Sequence, residues 1–449
     1  MKIEECKSVP TSEVEGASTP RCHEREEAAR TTERATAIIF VGSVLPDSEE
    51  FVTDAYSRAG TLFQRNLLAS MHDAGLSVSE IISFRHVRAF PGSKCLWAQG
   101  ERVDVGAGLS ADLLPFVNVT IVKEALLGFQ AFARILKWGW RHRRRKQKVL
   151  LLYNLTVPPG VCSFVASRIV GARLIAVLAD INRPGQTIDD GLLARLDFRM
   201  QSWLIPRCDG HMPFAADIMS DFAPGRSYLL MDGGFQPEWA EKSRAARERR
   251  RADRFTLGFA GKLSAENGVR LLLETFRSMN GRRFRLVIAG AGPLAEEIQA
   301  AARSDDRIVF RGFRSHDEVL SLYGEVDVLL NLRLTSEIDT RYFFPSKLLE
   351  CLGSGTPVIS TRTGHVEAEL ARYLYVLSEE SPRALGELIR QVSATEGRVR
   401  ESLGEAAKAY VLMHKTWSVQ GLRVAEYVRG VCGAAVEDGS LARGRGKPR

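Results

Sequence analysis

Lys347 and Glu350 stand three residues apart in Phe344-Pro345-Ser346-Lys347-Leu348-Leu349-Glu350, a spacing that puts both on one face of a helix. A lysine brings a mobile cation to phosphate and a glutamate accepts two hydrogen bonds from a vicinal diol, so the pair describes a nucleotide seat. Pro345 suits the first helical turn because its missing N–H would be unpaired there, and Ser346 helps cap the free amides. Those amides carry the positive end of the helix dipole, which stabilises a phosphate placed against them. Gly353-Ser354-Gly355 stops the helix, and Thr356-Pro357-Val358-Ile359-Ser360 continues as an apolar strand. The same run also serves as an ordinary capped helix and core strand, so its chemistry depends on what surrounds it.

Two more cations close strand-like runs. Residues 255–261 are apolar and end on Gly261-Lys262-Leu263, and residues 326–331 end on Asn331-Leu332-Arg333. Ligands of open α/β sheets bind beyond the carboxyl ends of the strands, so Lys262, Arg333 and Lys347 are expected to converge on one pocket. Three cations so placed neutralise a diphosphate without a metal, and no Asp-x-Asp stands where a metal site would need it. Gly290-Ala291-Gly292-Pro293-Leu294-Ala295 fits a dinucleotide fingerprint between a strand and a helix. That reading needs an acidic residue after the next strand to hold a ribose. Arg311-Gly312 follows instead, which sets a nicotinamide enzyme aside.

These segments together resemble the donor half of retaining, GT-B-fold glycosyltransferases of family 4, in the branch carrying Phe-Pro-Ser-Lys…Glu before a Gly-x-Pro-Val strand. Gly261-Lys262-Leu263 stands where that family has Gly-Arg-Leu, and Asn331-Leu332-Arg333 resembles its Asn-Pro-Arg. Gly290 belongs to the Ala-Gly-x-Gly-Pro run that closes a strand near the donor. The resemblance implies two Rossmann-like α/β domains with parallel sheets facing an interdomain cleft. It implies transfer of a hexosyl unit from a nucleoside diphosphate sugar, expected to be a UDP-sugar, to a hydroxyl. The implied donor site is Gly261, Lys262, Gly290, Arg333, Tyr342, Phe344, Pro345, Ser346, Lys347, Leu348 and Glu350, with Lys262 and Lys347 acting on the leaving group.

The chain departs from the family pattern at three places. Counting back from Glu350, Tyr342 occupies the first position of Glu-x7-Glu, and Asn267 replaces the lysine that follows Gly-Arg-Leu. Lys347 is therefore expected to take over part of the phosphate contact, with Tyr342, Arg341 and Asp339 in the loop nearest the sugar. The first-domain histidine of many relatives is missing, since Ala179-Asp180 stands at the corresponding place, so the acceptor-side catalytic role passes to Asp180. No carboxylate is placed as a nucleophile, and the leaving phosphate is expected to take the acceptor's proton.

The elements that must position these residues alternate strand and helix. Residues 37–42, 149–154 and 174–180 are apolar runs of the kind found in buried parallel strands. Asn154 and Asp180 end two of them at the carboxyl edge, where acceptor-side residues belong. Gly60 precedes a helical pattern that stops at Gly75, and in the family this first loop faces the cleft. From residue 255 the alternation starts again, which means a second parallel sheet. The 449 residues thus divide into an extension expected to be disordered (1–34), an acceptor domain (35–232), a charged linker (233–254) and a donor domain (255–415). A last helix (416–432) is expected to cross back to the first domain, ahead of a basic, disordered tail (433–449).

Composition bounds the partners. With 45% hydrophobic and 26% charged residues the chain reads as a soluble globular protein, and no apolar stretch is long enough to span a bilayer. The polar start lacks the apolar core of a signal peptide, and seven scattered cysteines form no zinc-like spacing, which points to the reducing cytoplasm and no structural metal. The net charge of +8 calls for an anionic partner. Residues 121–145 form a helical pattern with Lys123, Gln130, Arg134, Lys137 and Arg141 on one stripe, opposite Leu126, Phe129, Phe132, Ala133, Leu136 and Trp140. The commoner arrangement is an apolar face on the core and a solvated basic face. The alternative is an anionic membrane surface bound through residues 123–148, with a lipid-linked or growing saccharide as acceptor. The basic runs lack a nucleic-acid reading element, so no nucleic-acid partner is expected. A non-catalytic scaffold of the same fold is the rival reading, supported by Tyr342 and Asn267.

Overall fold

The computed structural model describes residues 36–46, 48–51, 57–179, 181, 183–185, 191–231, 233–249, 254–342, 347–363 and 369–433. Asp180, Phe344, Pro345 and Ser346 lie outside the described residues, as do the extension and the tail. No helix among the described residues is long and apolar enough to cross a membrane.

The first domain is built on β1 (Thr36–Gly42), β2 (Glu80–Ser83), β4 (Glu101–Gly106), β5 (Leu109–Leu113), β7 (Gln147–Tyr153), β8 (Arg173–Leu178) and β9 (Gly210–Pro213), in the order β4-β5-β2-β1-β7-β8-β9. All pairs are parallel except the edge hairpin β4–β5, and β3 (Trp97–Ala98) pairs separately with β6 (Phe116–Val117). β1, β7 and β8 are covered on both faces, so their continuous apolar runs are fully buried. Helix α1 (Arg58–Asp73) covers one face. Helices α2 (Thr120–Arg141), α3 (Pro159–Val170) and α4 (Leu192–Leu204), with the short α5 (Ala216–Phe222), cover the other.

Helix α2 presents only part of the face its apolar pattern suggests: Leu126, Phe132 and Leu136 are partly buried against the core. Its buried residues are Leu127, Gly128, Ala131, Ile135, Trp138 and Gly139, whereas Phe129 and Trp140 are exposed. Small residues decide the rotation: a Cβ on Gly139 would stand 2.4 Å from the Val170 side chain and one on Gly128 3.1 Å from Cys162 Sγ, so α3 nests against this stripe. Three residues of the polar stripe meet specific partners. Gln130 donates to the Pro115 carbonyl at 2.7 Å, Arg134 pairs with Asp112 at 2.8 Å, and Arg141 pairs with Glu80 at 3.1 Å.

The charged stretch read as a linker contains α6 (Pro237–Glu248), whose Ser243 hydroxyl donates to the Leu320 carbonyl at 2.8 Å and so ties it to the second domain. That domain has a six-stranded, all-parallel sheet of β10 (Phe255–Lys262), β11 (Phe284–Ala291), β12 (Ile308–Phe310), β13 (Val328–Asn331), β14 (Val358–Ser360) and β15 (Tyr375–Val376), ordered β12-β11-β10-β13-β14-β15. Its helices are α7 (Val269–Ser278), α8 (Ala295–Ser304), α9 (His316–Glu325), α10 (Lys347–Gly353), α11 (Pro382–Ala394) and α12 (Gly397–His414). A capping box between Ser315 and Glu318 fixes the start of α9. The final helix, α13 (Trp417–Gly433), returns to α1, where Gly421 comes so close that a Cβ would lie 2.2 Å from the Ser70 carbonyl oxygen.

Candidate functional site

β10 ends on Lys262, Arg333 follows β13 and Lys347 opens α10, so these three cations start from the carboxyl edge of the second sheet. β10 and β11 pair in register through Gly261 opposite Gly290 to Lys262 opposite Ala291, so the loops after them start side by side. Gly290 and Gly292 have φ values of 147° and 156°, and a Cβ on Gly290 would lie 1.9 Å from the Gly261 carbonyl oxygen. Both glycines let the end of β11 close on the Gly261–Leu263 turn, a packing demand that produces the same spacing as a dinucleotide fingerprint.

Lys347, exposed at the start of α10, reaches across to this turn: a Cβ built on Gly261 would stand 3.3 Å from its Nζ. Leu348 is fully buried and anchors α10 in the domain core, so it contributes no side chain to a ligand. Glu350, one turn further, holds its carboxylate 3.5 Å from His316 Nε2 at the start of α9, while Trp239 of α6 lies edge-on to the His316 ring at 4.7 Å. Nothing in the sequence analysis singles out His316, and its proximity to Glu350 comes from the packing of α9 and α10. Phe313, on the loop after β12, is exposed on the same edge.

Arg333 is held by Asn267, the residue in place of the family's lysine. Its Nη1 donates to Asn267 Oδ1 at 2.6 Å, and Asn267 Nδ2 donates to the Lys262 carbonyl at 2.9 Å and to Ser264 Oγ at 3.0 Å. The departure thus replaces a cation with a bracket that ties the loop after β13 to the loop after β10. Lys262 turns outward and pairs with Glu266 at 3.1 Å, so its side chain is not gathered with the other two cations. Asn267→Ala is expected to release Arg333 and to weaken nucleotide binding about tenfold with little change in Tm, because a charged hydrogen bond at a half-exposed site is lost. Calorimetric titration alongside thermal unfolding checks this.

On the first-domain side, Asn154 adopts a left-handed φ of 55° and its Oδ1 accepts the Ala179 amide at 2.9 Å, which braces the end of β8. Gly60 lies inside the first turn of α1 rather than before it: its amide donates to the capping Ser57 Oγ at 3.2 Å.

The loop expected nearest the sugar instead joins the domains. Tyr342 is buried in the first domain's apolar cluster, its ring 5.5 Å from Phe222 and under the Arg183 guanidinium at 4.5 Å. Its hydroxyl donates to Asp221 and accepts from Arg183. Burial, then the Asp221 contact, pushes the phenol up to about 12. Asp339 pairs with Arg341 at 2.9 Å and with Arg183 at 3.6 Å, and Arg341 lies 3.5 Å from Asp221. An aromatic at the position where the family has a glutamate gains more from this apolar contact than from solvent beside a ligand. The clasp shows that the carboxyl edges of the two sheets face each other.

The hydrogen bond from Arg341, and more weakly the charge of Arg183, hold the Asp339 carboxyl below its ordinary value. A depressed pKa contributes stability that is complete above the unfolded value and lost as pH falls through the folded one. The Tm difference between wild type and Asp339→Asn is therefore expected to stay constant from about pH 8 to 5 and to shrink in stronger acid. Thermal melts across that range measure it.

Among the described residues no group of three or more His, Cys, Asp or Glu side chains gathers as a metal site.

Residues 254–394, within the second domain, match the family described as Glycosyl transferases group 1. A search of curated proteins returns no match. Among solved structures the chain is similar to sucrose-phosphate synthase from Thermosynechococcus elongatus, with a TM-score of 0.63 and 14% identity over 89% of this chain and 100% of that one. It is similar to Anabaena HepE, solved in complex with UDP, with a TM-score of 0.61 and 15% identity over 88% of this chain and 100% of that one. For α,α-trehalose 6-phosphate synthase from Burkholderia multivorans the values are 0.56 and 12%, over 89% and 100%. The architecture is that of GT-B glycosyltransferases.

Proposed function

We propose that this chain is a retaining glycosyltransferase that moves a hexosyl unit from a UDP-sugar to a hydroxyl of a lipid-linked or growing saccharide in cytoplasmic polysaccharide assembly. The observation that carries the reading is the meeting of Lys347 Nζ with the Gly261 turn, at a sheet edge where Arg333 is tied to the same loop through Asn267 and Glu350 stands one helical turn on from Lys347. Lys347 and Arg333 take the diphosphate and Glu350 takes the ribose diol. The Anabaena neighbour solved with UDP and with UDP-glucose supports the choice of nucleotide.

As the bond from the sugar to the diphosphate lengthens, negative charge grows on the leaving oxygen, and cations already in place stabilise that state more than the ground state. The acceptor oxygen attacks the same face of the sugar, and its proton passes to the departing phosphate oxygen. The two cations meet the charge without a metal, so turnover persists in EDTA. Closure of the facing edges excludes water and limits donor hydrolysis.

Incubation of the purified full chain with UDP-sugars and saccharide acceptors, reading released UDP, tests this. Release above the uncatalysed rate supports it. Nucleotide binding with no release from any sugar donor favours the non-catalytic scaffold, for which the outward Lys262 and the committed Tyr342 are the structural motives.

A further inference from the structure

We infer that the outer surface of α2, α3 and α4 is a docking surface for an anionic lipid bilayer. Of the 19 exposed large hydrophobic residues among the described ones, 14 fall between residues 90 and 203, so the apolar exposure is concentrated on the first domain. Phe129 and Trp140 on α2 are 66% and 68% exposed, Ile169 on α3 62%, and Leu192 on α4 83%. The three helices pack side by side on one face of the sheet, with Phe164 of α3 edge-on to Trp203 of α4 at 5.9 Å. The small-residue stripe seats α2 against α3 and leaves Phe129 and Trp140 uncovered, while Leu126, Phe132 and Leu136 pack on the core.

Charge complementarity selects the occupant. Arg143, Arg144, Arg145 and Lys146 follow α2 and are exposed, Arg143 stacks over Trp140 at 4.6 Å, and Arg207 stacks over Trp203 at 4.2 Å. Tryptophan with arginine at the rim of an apolar surface suits the headgroup level of a bilayer, where rings sit in the interface and guanidinium groups meet lipid phosphates. A second copy of the chain would instead oppose one basic rim to another, which repels. In parallel βαβ units the helix N-termini lie at the carboxyl edge of the sheet, so Leu192 and Leu196 carry the surface up to the cleft. Resting on the proposed function, this side-on seating brings a lipid-anchored acceptor to the cleft mouth.

The test is flotation of the full chain, without donor or acceptor, on phosphatidylcholine vesicles with and without phosphatidylglycerol. Wild type is expected to float with the anionic vesicles and to remain unbound with the neutral ones. The variant Phe129→Ser, Trp140→Ser, Leu192→Ser, Leu196→Ser is expected to lose about tenfold or more in partitioning, with nucleotide binding and Tm unchanged, since all four positions are exposed. Arg143→Glu with Arg144→Glu is expected to remove the preference for phosphatidylglycerol. Three results overturn the inference: no flotation of wild type on anionic vesicles, flotation abolished by deleting residues 434–449 alone, or an apolar variant that changes a dimer to a monomer and leaves flotation intact. Vesicle binding is read apart from turnover, so failure of this surface and failure of the glycosyltransferase reading are distinguishable.

Discussion

Replacing Lys347 by alanine is expected to lower the rate of sugar transfer by about 10²–10³-fold, the loss seen when a pre-placed group that stabilises transition-state charge is removed. Its Nζ reaches the Gly261 turn from the start of α10. Because charge on the diphosphate grows as the glycosidic bond breaks, kcat should fall more than KM rises. Lys347→Arg keeps the charge and should recover part of the rate, whereas a point charge replaced by a planar fork loses position. The contrast is Lys262→Ala. That side chain is exposed and engaged by Glu266, so a change within about tenfold is expected. Steady-state kinetics on the three variants, with release of the nucleotide as readout, decides between them. Equal losses for Lys262→Ala and Lys347→Ala would mean that Lys262 swings inward on binding.

Gly290→Ala is expected to be the most destabilising of the single changes considered, at about 3 kcal/mol or more. Two independent costs add. An alanine at φ 147° is strained, and its Cβ would have to occupy space 1.9 Å from the Gly261 carbonyl oxygen, a backbone atom fixed by the register of β10 and β11. Relief would require the ends of these strands to part, which moves Gly261 away from Lys347. The variant should therefore lose nucleotide binding as well as stability. Gly281→Ala provides the control, because it also has positive φ, at 87°, but nothing lies within 4 Å of its Cβ. Its cost is confined to backbone strain, so chemical denaturation of both variants separates strain from collision.

The strand positions were legible because buried parallel strands need continuous apolar runs, and residues 37–42, 149–154 and 255–261 have them. The alternation of strand and helix then placed Gly261, Arg333 and Lys347 at ends of elements on one edge. What could not be read was where each side chain finds its partner. Arg333 meets Asn267 across 66 residues, and Tyr342 meets Asp221 across 121 and Arg183 across 159, contacts that only the packed domains create. A family pattern with glutamate replaced by tyrosine looked like a change in the sugar pocket, and the structure instead gives Tyr342 a contact between domains.

The face of α2 was legible only in part, since Leu126, Phe132 and Leu136 pack on the core but Phe129 and Trp140 do not. Helical periodicity reports that two faces differ, and the wide aromatic one looks like the core. The helix packs through Gly128, Ala131 and Gly139 because close approach to α3 gains more contact than large residues would at that distance. A small-residue stripe at helical spacing was the available signal.

The central claim is that the carboxyl edge of the second sheet seats a nucleoside diphosphate between Lys347, Arg333 and Glu350. Isothermal titration of the full chain with UDP, GDP and ADP, repeated on Lys347→Ala and Glu350→Ala, tests it most directly. The account predicts binding of UDP in preference to the others, weakened by both substitutions, with Lys347→Ala sensitive to the diphosphate and Glu350→Ala to the ribose. Absence of binding by all three nucleotides, or UDP binding that neither substitution alters, would contradict it.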